Sequence, residues 1–229
     1  MGGRGPKPKR IIDETWRPNL AYAMGLIATD GCLSSDGLLF DLTSKDREQL
    51  VNFSKCLGVK FKIGNKWNLK GDECLRIQFK NRVFYNFLLS IGLTPRKSLT
   101  MGKLDIPQRY FFDFLRGCFD GDGCFYSYWD PRWKSSHMFY LEFTSASLKH
   151  ILWLQEEIKK RIFIEGHITG KNKNVFFQLK YAKKEAVEII KKIYYNRKVV
   201  CLSRKRVKIE KALKIEKKQQ KLYARVEKK

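Results

Sequence analysis

The sequence predicts an α+β protein built from two copies of one helix–hairpin–helix–hairpin–helix unit. Three observations predict it. A short pattern occurs twice, 92 residues apart, as Gly25-Leu26-Ile27-Ala28-Thr29-Asp30-Gly31 and Gly117-Cys118-Phe119-Asp120-Gly121-Asp122-Gly123. Three further segments recur in the same order: Asp41-Leu42-Thr43-Ser44 as Glu142-Phe143-Thr144-Ser145, Ile77-Gln78-Phe79-Lys80 as Phe177-Gln178-Leu179-Lys180, and Arg96-Lys97-Ser98 as Arg204-Lys205-Arg206. Helical and strand-like apolar spacings also alternate in the same sequence in both halves. One match is weak evidence; four in order indicate duplication with loop drift.

Each element has a local reason. Pro18 and Pro107 sit where a first helical turn tolerates proline, and helices are expected over 19–29 and 107–121. A hairpin follows the first, turning near Ser34-Ser35-Asp36-Gly37. Apolar residues at 50, 53 and 57 make 45–57 a helix, with Gly58 as its C-cap. Strands are expected near 59–64 and 74–80 around an Asn/Lys/Gly turn, then a helix over 81–91. The second unit gives strands near 124–129 and 137–144, joined through Trp129-Asp130-Pro131-Arg132-Trp133, a helix over 147–161, strands near 163–169 and 174–180, and a helix over 183–195. The join from Thr100 to Ile106 is short, so the halves should pack together. The chain divides into a basic arm (1–13), two repeats (14–104 and 105–210) and a basic helical tail (211–229).

Charge narrows the partners. Lys and Arg number 47 against 23 Asp and Glu, a formal net charge of +24. Residues 1–10 carry four basic groups and no acid, residues 204–229 carry twelve basic and three acidic, and the body between keeps +11. An excess this large favours a polyanionic partner, with nucleic acid ahead of an anionic membrane surface. No apolar run reaches the roughly 18 residues of a membrane span, and the basic Gly/Pro-rich start does not read as a secretory signal. The six cysteines form no CxxC pair, which points to small buried thiols in a reducing, intracellular compartment. The three histidines are scattered and read as structural or surface residues.

The Asp-Gly segments carry the chemistry. Ala21, Gly25 and Thr29 fall at i, i+4 and i+8, and Gly117 and Gly121 at i and i+4, a small-residue stripe that lets two helix backbones approach. Asp30 and Asp122 close these helices. Side by side, two carboxylates at helix C-termini disfavour anionic charge, and a hard divalent cation relieves that. Asp-Gly is also a common turn. Asp120-Gly121-Asp122-Gly123 resembles the start of a calcium loop, yet position twelve of such a loop would be Pro131. On the strands, Leu75, Ile77 and Phe79 alternate with Arg76, Gln78 and Lys80, and Phe139, Leu141 and Phe143 with Tyr140, Glu142 and Thr144. The polar sets face outward, and their Arg, Gln, Lys, Tyr and Thr suit contact with bases and phosphates.

The duplicated motif and its context resemble the LAGLIDADG homing endonucleases in their single-chain, two-repeat form, over roughly residues 14–210. The resemblance implies two pseudo-symmetric αββαββα repeats whose motif helices form the interface and whose saddle-shaped antiparallel sheets straddle double-stranded DNA. It implies that Asp30 and Asp122 are the metal-binding catalytic pair, holding two or three Mg²⁺ or Mn²⁺ ions, with the Thr29 and Gly121 carbonyls as further ligands. Lys97 and Lys205 match a basic residue near the scissile phosphates, and Ser44 and Ser145 a polar active-site rim position. Lys62, Arg76, Gln78, Lys80, Tyr140, Thr144, Gln178 and Lys180 stand at DNA-contact positions. The implied activity is a staggered double-strand break in a long, non-palindromic target by a monomer.

Three departures stand out: Ser44 and Ser145 are short for a rim position that often carries an amide or charged group, and two changes fall within the motif itself. Ala28 occupies the place of Asp120, removing a capping or interface contact from one half, and Thr29 replaces a smaller residue, which should loosen the helix packing. Two other functions remain open on the same scaffold: assistance to intron RNA splicing, and transcriptional regulation without cleavage.

Overall fold

The computed structural model describes residues 9–67, 71–133, 135–170 and 176–226, the last seven of these as backbone. The elements run α1 (Pro18–Asp30), β1 (Gly31–Leu33), β2 (Leu39–Ser44), α2 (Arg47–Leu57), β3 (Ile63–Trp67), β4 (Glu73–Lys80), α3 (Arg82–Ser90), α4 (Lys97–Thr100), a 3-10 turn (Gln108–Tyr110), α5 (Phe111–Asp122), β5 (Cys124–Trp129), β6 (His137–Ser145), α6 (Leu148–Ile162), β7 (His167–Thr169), β8 (Phe177–Ala182), α7 (Lys183–Ile193) and α8 (Ser203–Val226). Each repeat forms one antiparallel four-stranded sheet, in the orders β1-β2-β4-β3 and β5-β6-β8-β7. The matching orders confirm the duplication.

Pro18 opens α1, where its missing N–H costs nothing. Every residue from Leu20 to Ala28 is buried, because α1 lies between α5, α2 and its own sheet. The expected small-residue stripe is present within a helix that is covered on all sides. That stripe sets the contact. A Cβ on Gly117 would lie 2.1 Å from the Tyr22 carbonyl oxygen, and one on Gly25 would lie 2.2 Å from that of Phe114. The two backbones touch directly at these points.

The sheets fit the alternation read from sequence. Leu42 pairs with Ile77 facing the core, and Asp41 with Gln78 facing outward. Phe40 packs against Phe53, Phe79 and Phe84 at centroid separations of 5.2–6.1 Å. Gly58 caps α2 in the left-handed conformation (φ 70°), and Asn81 caps α3 by accepting from the Phe84 N–H at 2.8 Å.

Three strands begin later than expected, β8 at Phe177 among them. β3 starts at Ile63 because its register is set by pairing with β4, Ile63 opposite Ile77 and Trp67 opposite Glu73; Val59 and Phe61 pack on the core without joining the ladder. β7 starts at His167 because Phe163 and Gly166 both take positive φ, 58° and 67°, turning the chain first. The C-terminal helix starts at Ser203 and runs across residue 210. The basic arm over 1–8, the turn residues 68–70, the strand start at 174–175 and the last three residues lie outside the described residues.

Each repeat ends in a segment that the other repeat holds. The Ser147 hydroxyl donates to the Met101 carbonyl, and His150 Nδ1 bonds the Gly102 carbonyl at 2.9 Å. In mirror fashion, Asn52 Nδ2 donates to the Cys201 carbonyl at 2.9 Å, Glu48 accepts from the Ser203 N–H at 3.1 Å, and Asp46 pairs with Arg204 at 2.7 Å. These reciprocal ties place α4 and the start of α8 beneath the motif helices.

Gly117→Ala should therefore destabilise the protein by more than about 2 kcal/mol in denaturant unfolding. Gly64→Ala is the control, since a Cβ there meets nothing within 4 Å; its change should stay within about 1 kcal/mol.

Candidate functional site

The site lies where α1 and α5 end. Each helix passes into a strand through one glycine, and the next residues, Cys32 and Cys124, stand on the outer faces of β1 and β5 opposite Asp41 and Glu142. The two aspartates therefore sit where the outer faces of the two sheets meet. Burial and the nearby Asp122 charge push the Asp30 carboxyl up to about 6. Asp122 is also raised, chiefly by burial, against the opposing pull of Lys97 and Lys205. A Cβ on Gly121, the residue before Asp122, would lie 2.8 Å from Asp30 Oδ2, so the end of one motif helix stands against the acid of the other.

Thr29 does not loosen the packing. Its hydroxyl bonds back to the Leu26 carbonyl at 3.0 Å, and a Cβ on Gly121 would lie 1.9 Å from it. Thr29 fills the volume that Gly121 leaves. The asymmetry at Ala28 has a structural consequence: Asp120 in the other half accepts from the Tyr22 hydroxyl at 2.8 Å and the Leu202 N–H at 2.7 Å. A contact across the interface exists on one side only.

Lys97 and Lys205 are both buried. Lys97 Nζ donates to the Ala28 and Thr29 carbonyls at 2.7 and 3.1 Å. Lys205 Nζ donates to those of Phe119, Gly121 and Gly123 at 2.6, 3.0 and 2.7 Å. Each ammonium caps the end of its motif helix, where orphan carbonyls and the helix dipole favour a cation. Desolvation lowers both lysine pKa values, and the aspartates oppose that shift. An ammonium has three donors, so Lys205 has spent all of its own while Lys97 keeps one.

Ser44 and Ser145 act first as local caps, accepting from the Asp46 N–H at 3.0 Å and the Ser147 N–H at 3.1 Å. The residue that sequence reading missed is Gln49. It is buried on α2, accepts from the Ser44 hydroxyl at 3.1 Å and donates to Asp30 Oδ2 at 2.6 Å. Its counterpart five residues after Ser145 is His150, turned instead to Gly102. Nothing in the sequence of this helix marks Gln49 apart from its other polar residues.

The outer faces carry the expected contact residues unevenly. Arg76, Gln78 and Lys80 line β4 on the face of Asp41, and Lys62 is exposed just before β3. Arg76 and Lys66 approach Asp41 at 3.6 Å, and Gln78 donates to it at 3.3 Å. In the second sheet Lys180 pairs with Glu142 at 3.0 Å and Gln178 reaches it at 3.4 Å. Glu142 was expected on the outward side of its strand, and there these side chains bury it. Tyr140 stacks between Tyr126 and Tyr128, with centroids at 5.3 and 6.4 Å. Thr144 faces a small cavity beside Asp122.

Solved structures share this arrangement. Full-length DUF199/WhiA from Thermatoga maritima matches 91% of this chain at TM-score 0.58 and 16% identity, and the chain spans 63% of its length. I-WcaI, a homing endonuclease bound to its DNA recognition sequence, matches 90% of this chain and 94% of its own at TM-score 0.56 and 13% identity. I-DmoI in complex with DNA and Mn matches 79% of this chain and 98% of its own at TM-score 0.50 and 15% identity. The chain has the LAGLIDADG homing endonuclease fold. No family model and no curated protein sequence matches it. At such identities the likeness fixes the LAGLIDADG architecture and leaves activity to the site.

The donors fit a hard cation. Asp30 and Asp122 offer carboxylate oxygens, and the Thr29 and Gly121 carbonyls each keep a lone pair beside the lysine bond. Among the described residues no group of three His, Cys, Asp or Glu could hold a metal ion. Water and phosphate oxygens would complete the shell, as Mg²⁺ commonly requires.

The raised Asp30 value has a sign. The folded state holds that proton more tightly than the unfolded chain, so a stability penalty grows from about pH 4 to about pH 6 and is complete above. Asp30→Asn should raise the melting temperature of the metal-free protein by roughly 6–12 °C at pH 7.5, from about 3 kcal/mol, and by little at pH 4. Thermal melts at the two pH values check this.

Proposed function

We propose that the protein is a site-specific DNA endonuclease that hydrolyses phosphodiesters of both strands with divalent cations. The observation that carries this reading is the pair Asp30 and Asp122, brought together at the ends of duplicated helices where two basic sheet faces meet. Asp30 and Asp122, with the Thr29 and Gly121 carbonyls, would hold Mg²⁺ or Mn²⁺. The cation would neutralise charge on the phosphate and lower the pKa of an attacking water. The use of Mn alongside DNA in the I-DmoI structure supports that choice.

The chain's own contribution is electrostatic. Lys97 and Lys205 hold two fixed positive charges beside two carboxylates and the C-terminal ends of two helices, so an incoming phosphate does not meet a purely anionic site. Lys97, with a donor to spare, is the one able to bond a phosphate oxygen directly. Arg76, Gln78, Lys80 and Lys62 would read or hold one half of the duplex, and Tyr140, Thr144, Gln178 and Lys180 the other. Because the two faces differ in chemistry, the target would be non-palindromic and a single chain would suffice.

The second reading is DNA binding without cleavage, since DUF199/WhiA shares this fold with the homing endonucleases and the fold by itself does not fix cleavage. Cleavage-site selection from a randomised duplex library in Mg²⁺ or Mn²⁺ separates the two. Asp30→Asn and Asp122→Asn should each cut double-strand cleavage at least 100-fold while changing duplex affinity less than threefold. Cleavage by either variant at the parental rate would remove the catalytic assignment.

Binding itself should be strongly salt-dependent. With six to ten phosphates neutralised, affinity should fall about 10³-fold or more between 50 and 200 mM salt, measured by fluorescence anisotropy.

A further inference from the structure

The two halves of the site differ in ways that the duplication does not require. Asp30 Oδ2 is held by the Gln49 amide at 2.6 Å and lies 3.3 Å from the Thr29 hydroxyl. Gln49 is itself fixed, since it is buried and its carbonyl accepts from Ser44. This leaves Oδ1 of Asp30 oriented for another partner. Asp122 has no such clamp; among the described residues its carboxylate is held by the charges of Lys97 and Lys205 alone. His150, which occupies the Gln49 position in the second repeat, is committed to Gly102. Between His150 and Asp122 lies a cavity of about 20 Å³, also bordered by Thr144 and Ser145. That is room for one water. The lysines differ in the same direction, with three carbonyl bonds on Lys205 against two on Lys97.

From this geometry we propose that Gln49 is a positioning residue for the Asp30 carboxylate, and that its lack of a counterpart on Asp122 makes the two half-sites unequal, so that one DNA strand is cut before the other. The inference rests on the endonuclease reading and deepens it. A carboxylate whose second oxygen is fixed by a buried amide presents its first oxygen to a cation in one orientation, without the cost of ordering a free rotor. Partners of this kind commonly alter metal affinity or activity by 10–100-fold when removed. Ser44 and Ser145 are too short to supply the amide from the strand, and in the first repeat α2 supplies it.

The test uses the full chain and a plasmid bearing a selected target, with strand-specific end labels to follow each nick. The parent should cut one strand at least fivefold faster than the other, passing through a nicked intermediate. Gln49→Met keeps the side-chain volume and removes the donor; Gln49→His installs the residue of the second repeat. Both should bring the strand ratio to within about twofold of unity by slowing the faster strand, with melting temperatures near the parental value. Calorimetric titration with Mn²⁺ alone gives a readout independent of cleavage, and affinity should fall about tenfold in both variants. Equal strand rates in the parent, or parental strand ratio and Mn²⁺ affinity in both variants, would overturn the proposal while leaving the nuclease reading intact. A parent that binds Mn²⁺ in a Gln49-dependent way but cuts neither strand would sink the nuclease reading and support the positioning role.

Discussion

Direct backbone contact between α1 and α5 is the constraint on which the rest depends. Gly25 and Gly117 lie where a Cβ would overlap a carbonyl of the facing helix, so the axes approach as closely as helices can. Everything at the foot of that contact is placed by it. The two aspartates converge because their helices do, and each sheet is carried to the same place because its first strand starts within two residues of its aspartate. Thr29 against Gly121 shows the same economy, a larger side chain accepted where the partner has none.

Convergence of two acids creates an electrostatic problem that the fold answers locally. Burial raises both Asp30 and Asp122, the Asp122 charge raises Asp30 further, and the helix C-termini add negative potential. Lys97 and Lys205 answer both by bonding the last carbonyls of α1 and α5. They are held there by ties from the opposite repeat, through Met101 and Gly102 on one side and Cys201, Ser203 and Arg204 on the other. Each half therefore needs the other to position its own cation. A single repeat could not assemble this site.

The outer faces repeat the pattern on a smaller scale. Asp41 and Glu142 stand at equivalent positions among basic side chains, and both are largely covered by them. A carboxylate beneath Lys66, Arg76 or Lys180 orders long side chains that would otherwise move freely, and leaves the face net basic. The second sheet adds stacked tyrosines where the first has none, so the halves share a backbone plan and differ in surface chemistry.

Much of this was readable in the chain. Repeated segments in fixed order gave the duplication, apolar periodicity gave helices and strands near their observed places, and small residues four apart marked the face on which the motif helices meet. Those signals are local, and local preference survives folding when the tertiary environment agrees with it. The starts of β3 and β7 were misplaced because strand limits follow tertiary pairing and chain turns, here the register of Ile63 on Ile77 and the turn through Phe163 and Gly166 before His167 meets Lys180. Gln49 escaped notice because nothing in a helical stretch says which polar residue will be buried against an acid nineteen positions earlier. The same holds for the split between Gln49 and His150, and for the three carbonyls that engage Lys205. Sequence alone determined the repeat, its elements and the candidate acids; only the tertiary structure decided which side chains touch those acids, because such contacts join residues brought together by two repeats closing on each other.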